Sequence, residues 1–509
     1  MSVKKFIIPT LLVGSVLVLI YRLFARAFAR PDSAKPVTGN ATFDAIDSYI
    51  EGQMRRLNIP GVSLAIVEGD RIVHLRGFGH ARPGGETPTP QTPFFIGSLT
   101  KSITALAVMQ LVEAGKVELD APVQRYLPWF RVADPLASAQ MTVRHLLNQS
   151  SSLPTSLGLA NLADLDSGID ATERQVRALS TLKLTRPVGS KFEYTNTNYN
   201  VLGLIVETAS GEAYADYIQQ HIFEPLDMCH SYTSKSIAQQ NGLAMGHRYW
   251  FGHPFPTPDL SIPPGSLPSG QLISSAEDMA HYLIANLNGG RYADRQILSE
   301  AGIAELQRGA TEIKEMGFLL GYYGMGWISQ ESGESRIVSH SGIVPDYGAF
   351  MALVPGQKKG IVLLFNANHA MMKMTFDEFG MGAAQRLAGV HPSPLILSSA
   401  PWAMRGMLLI PILQIAGVLV TLRLLSRWRA DPALHPSRGR LWRKHILLPL
   451  IPNLLVALTL IPISGKMRGF MKLFAPDYTW IALICGGFAG IWAFLRTGLI
   501  LRTLRKLRF

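Results

Sequence analysis

Short apolar segments with partly alternating polar positions occur near both ends of the central part of the chain. Residues 61–75 contain two β-branched runs around Glu68-Gly69-Asp70, which has the composition of a tight turn, so we predict a β-hairpin there. Three later segments, at 336–339, 347–353 and 360–366, are also typical of strands. Strands are therefore expected at the beginning and at the end of one domain.

A helical pattern separates these two groups of strands. The run from Ser98 to Ala114 consists mostly of good helix formers, is apolar on nearly every face between Ile103 and Val112, and ends at Gly115. A helix that is apolar all round is buried in a core. Strands at both ends and helices between them predict an α+β domain, with a sheet built from both ends of the domain and a helical insertion.

Four longer apolar runs lie outside this domain. Each approaches the roughly 20 residues that a membrane-spanning helix requires; they occupy residues 6–21, 404–422, 446–463 and 479–495. The first is a signal sequence or an anchor, and we favour an uncleaved anchor because Ala25-Arg26-Ala27 is a poor processing site. The predicted organisation is a membrane anchor or signal at 1–30, one large domain at 31–395 and a three-helix transmembrane region at 396–509.

The net charge of +12 comes from the two apolar ends. Residues 1–30 and 396–509 hold 21 of the 48 basic residues and two of the 36 acidic ones, so the middle carries a net charge of −7. Basic residues beside apolar spans are typical of membrane proteins, and we exclude nucleic acid as a partner on this distribution. The lipid bilayer is a predicted partner.

The distribution of basic residues also predicts an orientation. The basic segments at 423–444 and 496–508 are expected in the cytoplasm, which places residues 31–395 in the periplasm or cell exterior of a multi-pass protein of the cytoplasmic membrane. The arginines that follow the first span, and the basic loop at 466–472, favour the opposite orientation. The two cysteines, Cys229 and Cys485, are not expected to pair and do not decide the compartment.

One short motif combines a nucleophile with a base. Ser98 and Lys101 are three residues apart at the start of the predicted buried helix, so their side chains share a face. Free backbone amides at a helix start favour an oxyanion, and burial lowers the pKa of a lysine so that it can act as a base. Ser-x-x-Lys also occurs at residues 2–5, ahead of the first span, and at 180–183, which we interpret as surface.

Two later tripeptides make the first motif specific. Tyr194-Thr195-Asn196 precedes a helix predicted from about Val201, and His340-Ser341-Gly342 opens the late strand region. Ser-x-x-Lys, Tyr-x-Asn and a third element ending in Gly, in this order, resemble the active-site elements of the class C β-lactamase and penicillin-binding D,D-peptidase family. The flanking segments at 187–194, 222–228 and 272–279 resemble it too, and the resemblance covers about residues 42–390.

The resemblance implies a β-lactamase/transpeptidase-like fold, with an antiparallel sheet flanked by helices, an all-helical subdomain and the active site between them. It implies that Ser98 is the acylated nucleophile, that Lys101 is its base and that Tyr194 shuttles a proton. It also implies that Asn196, His340, Ser341 and Gly342 bind substrate and that the backbone N–H groups of Ser98 and Ile343 form the oxyanion hole. Singly, Tyr194 could be a core aromatic, Asn196 a helix cap and His340 a strand-end residue.

Two departures from the family pattern limit the expected activity. His340 stands where a lysine is usual, which removes a permanent cation and makes penicillin hydrolysis weak at most. Ser152 replaces a glycine in residues 149–154, so we expect a different loop shape there. No Gly-x-Ser-x-Gly elbow, Walker A loop or His-Glu-x-x-His motif occurs in the sequence, and no cofactor or metal is predicted.

We therefore expect a membrane-anchored serine hydrolase that acts through an acyl-Ser98 intermediate on peptide, amide or ester bonds, with a small peptide, ester or peptidoglycan-like substrate. The alternative from another class is a catalytically silent penicillin-binding sensor that signals through its spans. The layout of the chain also resembles periplasmic peptidases that activate nonribosomal-peptide prodrugs. The C-terminal helices could instead form a transport or docking module.

Overall fold

The computed structural model describes residues 40–162, 164–165, 168, 170–258, 263–315, 318–390, 400–460 and 466–506. The predicted N-terminal anchor lies outside the described residues. The chain divides into two compact units, Met1–Asp44 and Ala45–Phe509. The second unit contains the candidate site and the C-terminal helices. The division into regions at 1–30, 31–395 and 396–509 stays a prediction.

An antiparallel sheet of eight strands forms the centre of the second unit, in the order β2-β1-β14-β13-β12-β11-β10-β9. Smaller sheets have the orders β15-β4-β5, β3-β6 and β7-β8, with β15 parallel to β4. The strands are β1 (Gly61–Glu68), β2 (Arg71–Gly79), β3 (Phe94–Phe95), β4 (Gly246–Trp250), β5 (His253–Thr257), β6 (Ile273–Ser274), β7 (Arg291–Tyr292), β8 (Arg295–Gln296), β9 (Thr311–Glu315), β10 (Phe318–Tyr323), β11 (Ile328–Ser332), β12 (Ser335–Val344), β13 (Tyr347–Val354), β14 (Lys359–Phe365) and β15 (Ala367–Asn368).

Helices fill the middle of the chain and its C-terminal part. They are α1 (Ala41–Leu57), α2 (Thr100–Glu113), α3 (Pro135–Gln140), α4 (Val143–Leu147), α5 (Thr155–Asn161), α6 (Ala171–Arg177), α7 (Asn196–Ser210), α8 (Tyr214–Ile218), α9 (Lys235–Gln240), α10 (Leu267–Gly270), α11 (Ala276–Leu287), α12 (Glu300–Gln307), α13 (Lys373–Leu387), α14 (Ala400–Gly406), α15 (Leu409–Ala430), α16 (Arg438–Arg440), α17 (Leu448–Leu460), α18 (Lys466–Phe474) and α19 (Pro476–Lys506). A π-helical turn, Leu441–Leu447, joins α16 to α17.

The middle of the large sheet is covered on both faces. Successive residues of a strand point to opposite sides, and β14 is buried at every position from Gly360 to Phe365. On one side Phe365 packs against Phe376 and Phe379 of α13. On the other side α11 approaches so closely that a Cβ on Gly360 would lie 3.3 Å from a methyl group of Leu283. The middle of the sheet is therefore an internal layer, which explains why its central strands are apolar, whereas β10 at one end is largely exposed.

The predicted α+β architecture, with an antiparallel sheet flanked by helices, is confirmed, including the early hairpin, the late strands and the buried helix after Ser98. One boundary was wrong. The helix expected from about Val201 begins at Asn196, because Asn196, Thr197 and Asn198 enter its first turn although they give no apolar signal. The first turn of a helix has free N–H groups, so polar residues are compatible with it.

Three C-terminal helical segments are long and apolar enough to cross a membrane: Ala400–Ala430, Arg438–Leu458 and Pro476–Thr503. They correspond to the three C-terminal spans that the sequence predicts. Large apolar side chains on their outer faces are exposed, such as Leu413, Leu458 and Phe494. An apolar outer surface is what a helix in a bilayer requires.

Candidate active site

Ser98 lies in a tight turn between the strand β3 and the helix α2. A 3-10 turn, Gly97–Leu99, precedes α2 directly, and Gly97 has φ of +55°, a conformation that favours glycine. A Cβ on Gly97 would lie only 2.5 Å from the backbone nitrogen of Ile343. Glycine is therefore required at this position both for the backbone conformation and for the close approach of β12.

The amine of Lys101 touches Ser98 and is fully buried. Its Nζ lies 3.0 Å from Ser98 Oγ, 2.7 Å from Asn196 Oδ1 and 2.5 Å from the carbonyl oxygen of Ser269. Burial lowers the pKa of Lys101 well below its usual range. An uncharged amine has two N–H groups, which the two carbonyl oxygens can accept, and its lone pair is then free to accept the Ser98 hydroxyl proton.

Tyr194 supplies a phenol beside the same hydroxyl. Burial raises the pKa of Tyr194 well above its usual value, and a hydrogen bond with the Ser98 side chain acts in the opposite direction. Lys101 Nζ lies 4.9 Å from the centre of the Tyr194 ring. Tyr194 therefore keeps its proton at neutral pH and can donate it to a leaving group.

The loop before α7 is held by hydrogen bonds from the facing segment. Gln149 Oε1 accepts from the backbone N–H of Thr195 at 3.0 Å and from Asn198 Nδ2 at 2.6 Å. The Thr155 hydroxyl donates to the Tyr194 carbonyl at 2.7 Å. These contacts fix Tyr194 and the start of α7, which brings Asn196 to Lys101.

His340 is buried behind the site as a neutral imidazole. Burial first, and then the positive charge that Lys101 carries when its amine is protonated, lower the pKa of His340 to about 3. Its Nδ1 lies 2.7 Å from the Ser341 carbonyl oxygen, so Nδ1 carries the proton. The Tyr323 hydroxyl, 3.5 Å from Nε2, is placed to donate to the other ring nitrogen. The third motif therefore contributes no positive charge at neutral pH.

The third motif lies in the part of β12 that is no longer paired with β11. The pairing of β11 with β12 runs from Ser332↔Ser335 to Ile328↔Ser339, and beyond Ser339 the 3-10 turn that contains Ser98 packs against β12. A Cβ on Gly342 would lie 2.1 Å from the Ile96 carbonyl oxygen. This packing brings the Ser98 and Ile343 backbones together, as an oxyanion hole formed by their N–H groups requires.

The structure thus brings together every site residue that the sequence analysis singles out: Ser98, Lys101, Tyr194, Asn196, His340, Ser341, Gly342 and Ile343. Their catalytic roles stay predictions. The second Ser-x-x-Lys is separate, with Ser180 and Lys183 both exposed. Ser152 adopts φ of +62°, the conformation that glycine takes most easily, and its hydroxyl donates to the Pro187 carbonyl at 2.8 Å.

The sequence analysis missed three contributors. Tyr323 is fully buried and packs edge-on against both Tyr194 and His340, with ring centres 6.2 and 6.0 Å away. Gln149 holds the second motif, and Ser269 offers a backbone carbonyl to Lys101. The aromatic and glycine-rich run 321–327 was the one sequence feature that could have drawn attention to Tyr323. The contribution of Ser269 is made by its backbone carbonyl, so its residue type gives no indication of it.

Several known proteins are similar to this chain in sequence or in structure. Protein flp of Staphylococcus aureus (strain MW2) is 28% identical over 337 residues, which are 65% of this chain and 64% of the length of that relative. Penicillin-binding protein 4 of Amycolatopsis lactamdurans is 30% identical over 339 residues, which are 66% of this chain and 87% of that protein. The structure of the octameric penicillin-binding protein homologue from Pyrococcus abyssi superposes with a TM-score of 0.59 at 29% identity, covering 69% of this chain and 79% of that one.

The match to a protein family covers most of the second unit. The family model described as Beta-lactamase matches residues 46–385, from the first helix to the end of α13. This range contains the whole central sheet and all three motifs around Ser98. The chain belongs to the beta-lactamase family of serine hydrolases and penicillin-binding proteins.

Proposed function

We propose that this protein is a serine hydrolase that forms an acyl-enzyme at Ser98 and cleaves peptide, amide or ester bonds outside the cytoplasmic membrane. The observation that carries the proposal is the contact between Ser98 Oγ and the Lys101 amine, whose other two partners are uncharged carbonyl oxygens. A lysine placed in this way has no carboxylate among those partners to keep it protonated, so it serves as a base.

Acylation follows from this arrangement. Lys101 accepts the Ser98 proton as Oγ attacks the carbonyl carbon, and the N–H groups of Ser98 and Ile343 stabilise the oxyanion. The Tyr194 phenol then gives its proton to the leaving group, and the Lys101 ammonium returns a proton to Tyr194. The net reaction transfers the acyl group to Ser98 and releases the protonated leaving group. Deacylation is the reverse sequence, with water in place of the leaving group.

The uncharged third motif bears on the substrate. His340, with a pKa of about 3, offers a substrate carboxylate no positive charge at neutral pH. A charge-assisted hydrogen bond is roughly twice as strong as a neutral one, so its loss weakens the binding of a substrate carboxylate, whether it belongs to a penicillin or to the C-terminus of a peptide. We therefore propose esterase activity, or peptidase activity that does not depend on a cation in the third motif, D,D-carboxypeptidase activity of that kind included, in preference to β-lactam hydrolysis.

The membrane location is part of the same proposal. Three helical segments could span a bilayer, and the basic segments at 423–444 and 496–508 support an orientation with the catalytic domain on the periplasmic or outer side. A small peptide, an ester or a peptidoglycan-like molecule is then the available substrate class. The layout is also compatible with a prodrug-activating peptidase, but no residue of the site selects that substrate.

The proposal is tested by labelling membranes that contain the full chain with a fluorescent fluorophosphonate and, separately, a fluorescent penicillin. Wild type is compared with Ser98→Ala and with the matched control Ser180→Ala, which alters the exposed second motif. We expect Ser98→Ala alone to lose both labels. Equal labelling of wild type and Ser98→Ala would contradict the proposal, and penicillin labelling without turnover of any ester or peptide would favour a binding sensor.

A further inference from the structure

A buried histidine–aspartate contact joins the last C-terminal helix to the catalytic domain. Asp477, the second residue of α19, and His369, directly after β15, are both 0% exposed, and His369 Nε2 lies 2.8 Å from Asp477 Oδ1. A carboxylate is costly to bury unless hydrogen bonds satisfy its oxygens. Asp477 is also one of only two acidic residues in the sequence after residue 395. Its burial at this junction therefore requires an explanation.

The carboxylate of Asp477 holds two separate segments of the catalytic domain. Oδ1 accepts from His369 Nε2–H and from the Tyr478 backbone N–H at 2.7 Å, and Oδ2 accepts from the Phe251 N–H at 2.8 Å. The Met371 N–H donates to His369 Nδ1, which leaves the ring proton on Nε2. The amino end of α19 further favours a negative charge. Asp477 thus ties the turn after β4 and the segment after β15 to α19.

The hairpin turn at Phe251 is also enclosed by the first C-terminal helix. Gly252, the next residue, has φ of +76°, and a Cβ there would lie 2.7 Å from the Pro401 carbonyl oxygen in α14. The 3-10 turn that follows His369 packs against α14 as well. Both segments that Asp477 holds therefore lie against the beginning of the C-terminal helical region.

The two segments that Asp477 contacts also form hydrogen bonds with the end of β12 and with the turn after it. Asn368 Nδ2, next to His369, donates to the Val344 carbonyl at 2.8 Å. Asn368 also pairs with Arg248 of β4, whose guanidinium binds both carboxylate oxygens of Asp346 at 2.7 and 2.8 Å. Val344 ends β12, and Asp346 lies in the turn to β13. Hydrogen bonds joined by short lengths of backbone therefore connect α19 to each side of this turn.

The end of β12 has little freedom to move without a cost to catalysis. Ile343, whose N–H is the second donor of the oxyanion hole, directly precedes Val344. The close approach of β12 to Gly97 leaves no room between the strand and the turn that carries Ser98. A shift at Val344 therefore changes the distance between the two oxyanion donors, and misplacement by about 1 Å can cost on the order of 100-fold in rate.

We propose that Asp477 and His369 are positioning residues through which the docked C-terminal helix α19 sets the oxyanion-binding backbone of β12. The inference rests on the proposed function, because it assumes that Ser98 is acylated. Under it the C-terminal region is part of the catalytic apparatus in addition to any role as an anchor. If the contact between His369 and Asp477 served only to stabilise the packing of α19 on the catalytic domain, its loss would reduce the amount of folded protein. The protein that still folded would then be fully active.

The test uses the full chain, purified in detergent, with the variants Asp477→Ala, His369→Ala, their double mutant and Asp477→Asn. Asp431→Ala, which changes the other C-terminal acid, at an exposed turn, is the matched control. The readouts are the fluorophosphonate labelling rate per folded molecule, measured on the monodisperse fraction, and kcat and KM for p-nitrophenyl acetate. Asp477→Asn keeps one acceptor oxygen and the side-chain size, so it tests positioning where Asp477→Ala folds poorly.

We expect both alanine variants to lose about 10- to 100-fold in labelling rate and kcat with little change in KM. We expect the double mutant to be no more impaired than Asp477→Ala, because that change already removes the contact with His369 as well as the contact with Phe251. Asp477→Asn should fall between wild type and Asp477→Ala. Wild-type rates in the folded fraction of these variants, or losses that multiply in the double mutant, would overturn the inference. Labelling that persists in Ser98→Ala would instead refute the proposed function itself.

Discussion

Asn196→Asp places a carboxylate against the amine of Lys101 and should move the pH dependence of the enzyme. In the wild type Asn196 Oδ1 lies 2.7 Å from Nζ and carries no charge, and burial holds the pKa of Lys101 well below its usual range. Activity requires the free amine, so it is lost as the pH falls through the pKa of Lys101. A carboxylate favours the ammonium, raises that pKa and shifts the loss of activity to higher pH.

The size of the shift follows from the distance. Two unit charges 2.7 Å apart attract by about 6 kcal/mol at an effective dielectric constant near 20. Each 1.36 kcal/mol corresponds to one pKa unit, and screening by solvent and relaxation around the new carboxylate reduces the attraction, so we expect a shift of at least about two pH units. Asn196 is also a predicted substrate-binding residue, so the level of activity should fall as well, but the position of the pH limb does not depend on that level.

The assay is the fluorophosphonate labelling rate between about pH 5 and pH 10, with kcat/KM for an ester substrate over the same range. Asn196→Ala is the control, because it removes the carbonyl acceptor without adding a charge. Its acid limb should stay within about half a pH unit of the wild type. If Asn196→Asp and Asn196→Ala had the same acid limb, Lys101 would not be the base and the account of acylation would be refuted.

Three further changes test separate parts of the structure. Gly342→Ala should reduce the labelling rate by about 100-fold or more, because its Cβ would lie 2.1 Å from the carbonyl oxygen of Ile96, just before the Ser98 turn. Gly356→Ala is the control, and it should be labelled at the normal rate because a Cβ there has open space around it. Tyr323→Phe keeps the ring but removes the donor to His340, so kcat/KM should fall by about 2- to 12-fold, equivalent to about 0.5–1.5 kcal/mol, and an unchanged value would show that this hydrogen bond is not used. Phe365→Ala should lower the free energy of unfolding by about 3–5 kcal/mol, measured by denaturant titration in detergent, since the ring is 1% exposed between the sheet and α13; a loss below about 1 kcal/mol would contradict that packing.

The sequence predicted the parts of the fold that local patterns encode. The hairpin of β1 and β2 and the buried helix α2 were visible because their apolar residues recur at strand or helix spacing. The start of α7 was not visible, since Asn196 and Asn198 are polar, and polar residues there are held by tertiary contacts with Lys101 and Gln149. Spacing alone placed Ser98 and Lys101 on one face.

The rest depends on contacts between distant residues. Tyr323 stands 129 positions after Tyr194 and approaches it only because β10 borders the site. His369 and Asp477 are 108 residues apart, and neither belongs to a motif. The positive φ of Ser152 is likewise imposed by its surroundings, since serine has no local preference for that conformation. Such pairings arise from chain topology, which residue types and periodicity do not encode.

The central claim is that Ser98 is acylated with Lys101 as its base, and the adduct itself tests it most directly. Purified full-length protein would be treated with a fluorophosphonate and the modified peptide identified by mass spectrometry, with Lys101→Met and Ser180→Ala treated in parallel. The account predicts one adduct on Ser98 in wild type and Ser180→Ala, and a rate reduced by about 1,000-fold or more in Lys101→Met. An adduct on another residue, or an equal rate in folded Lys101→Met, would contradict it.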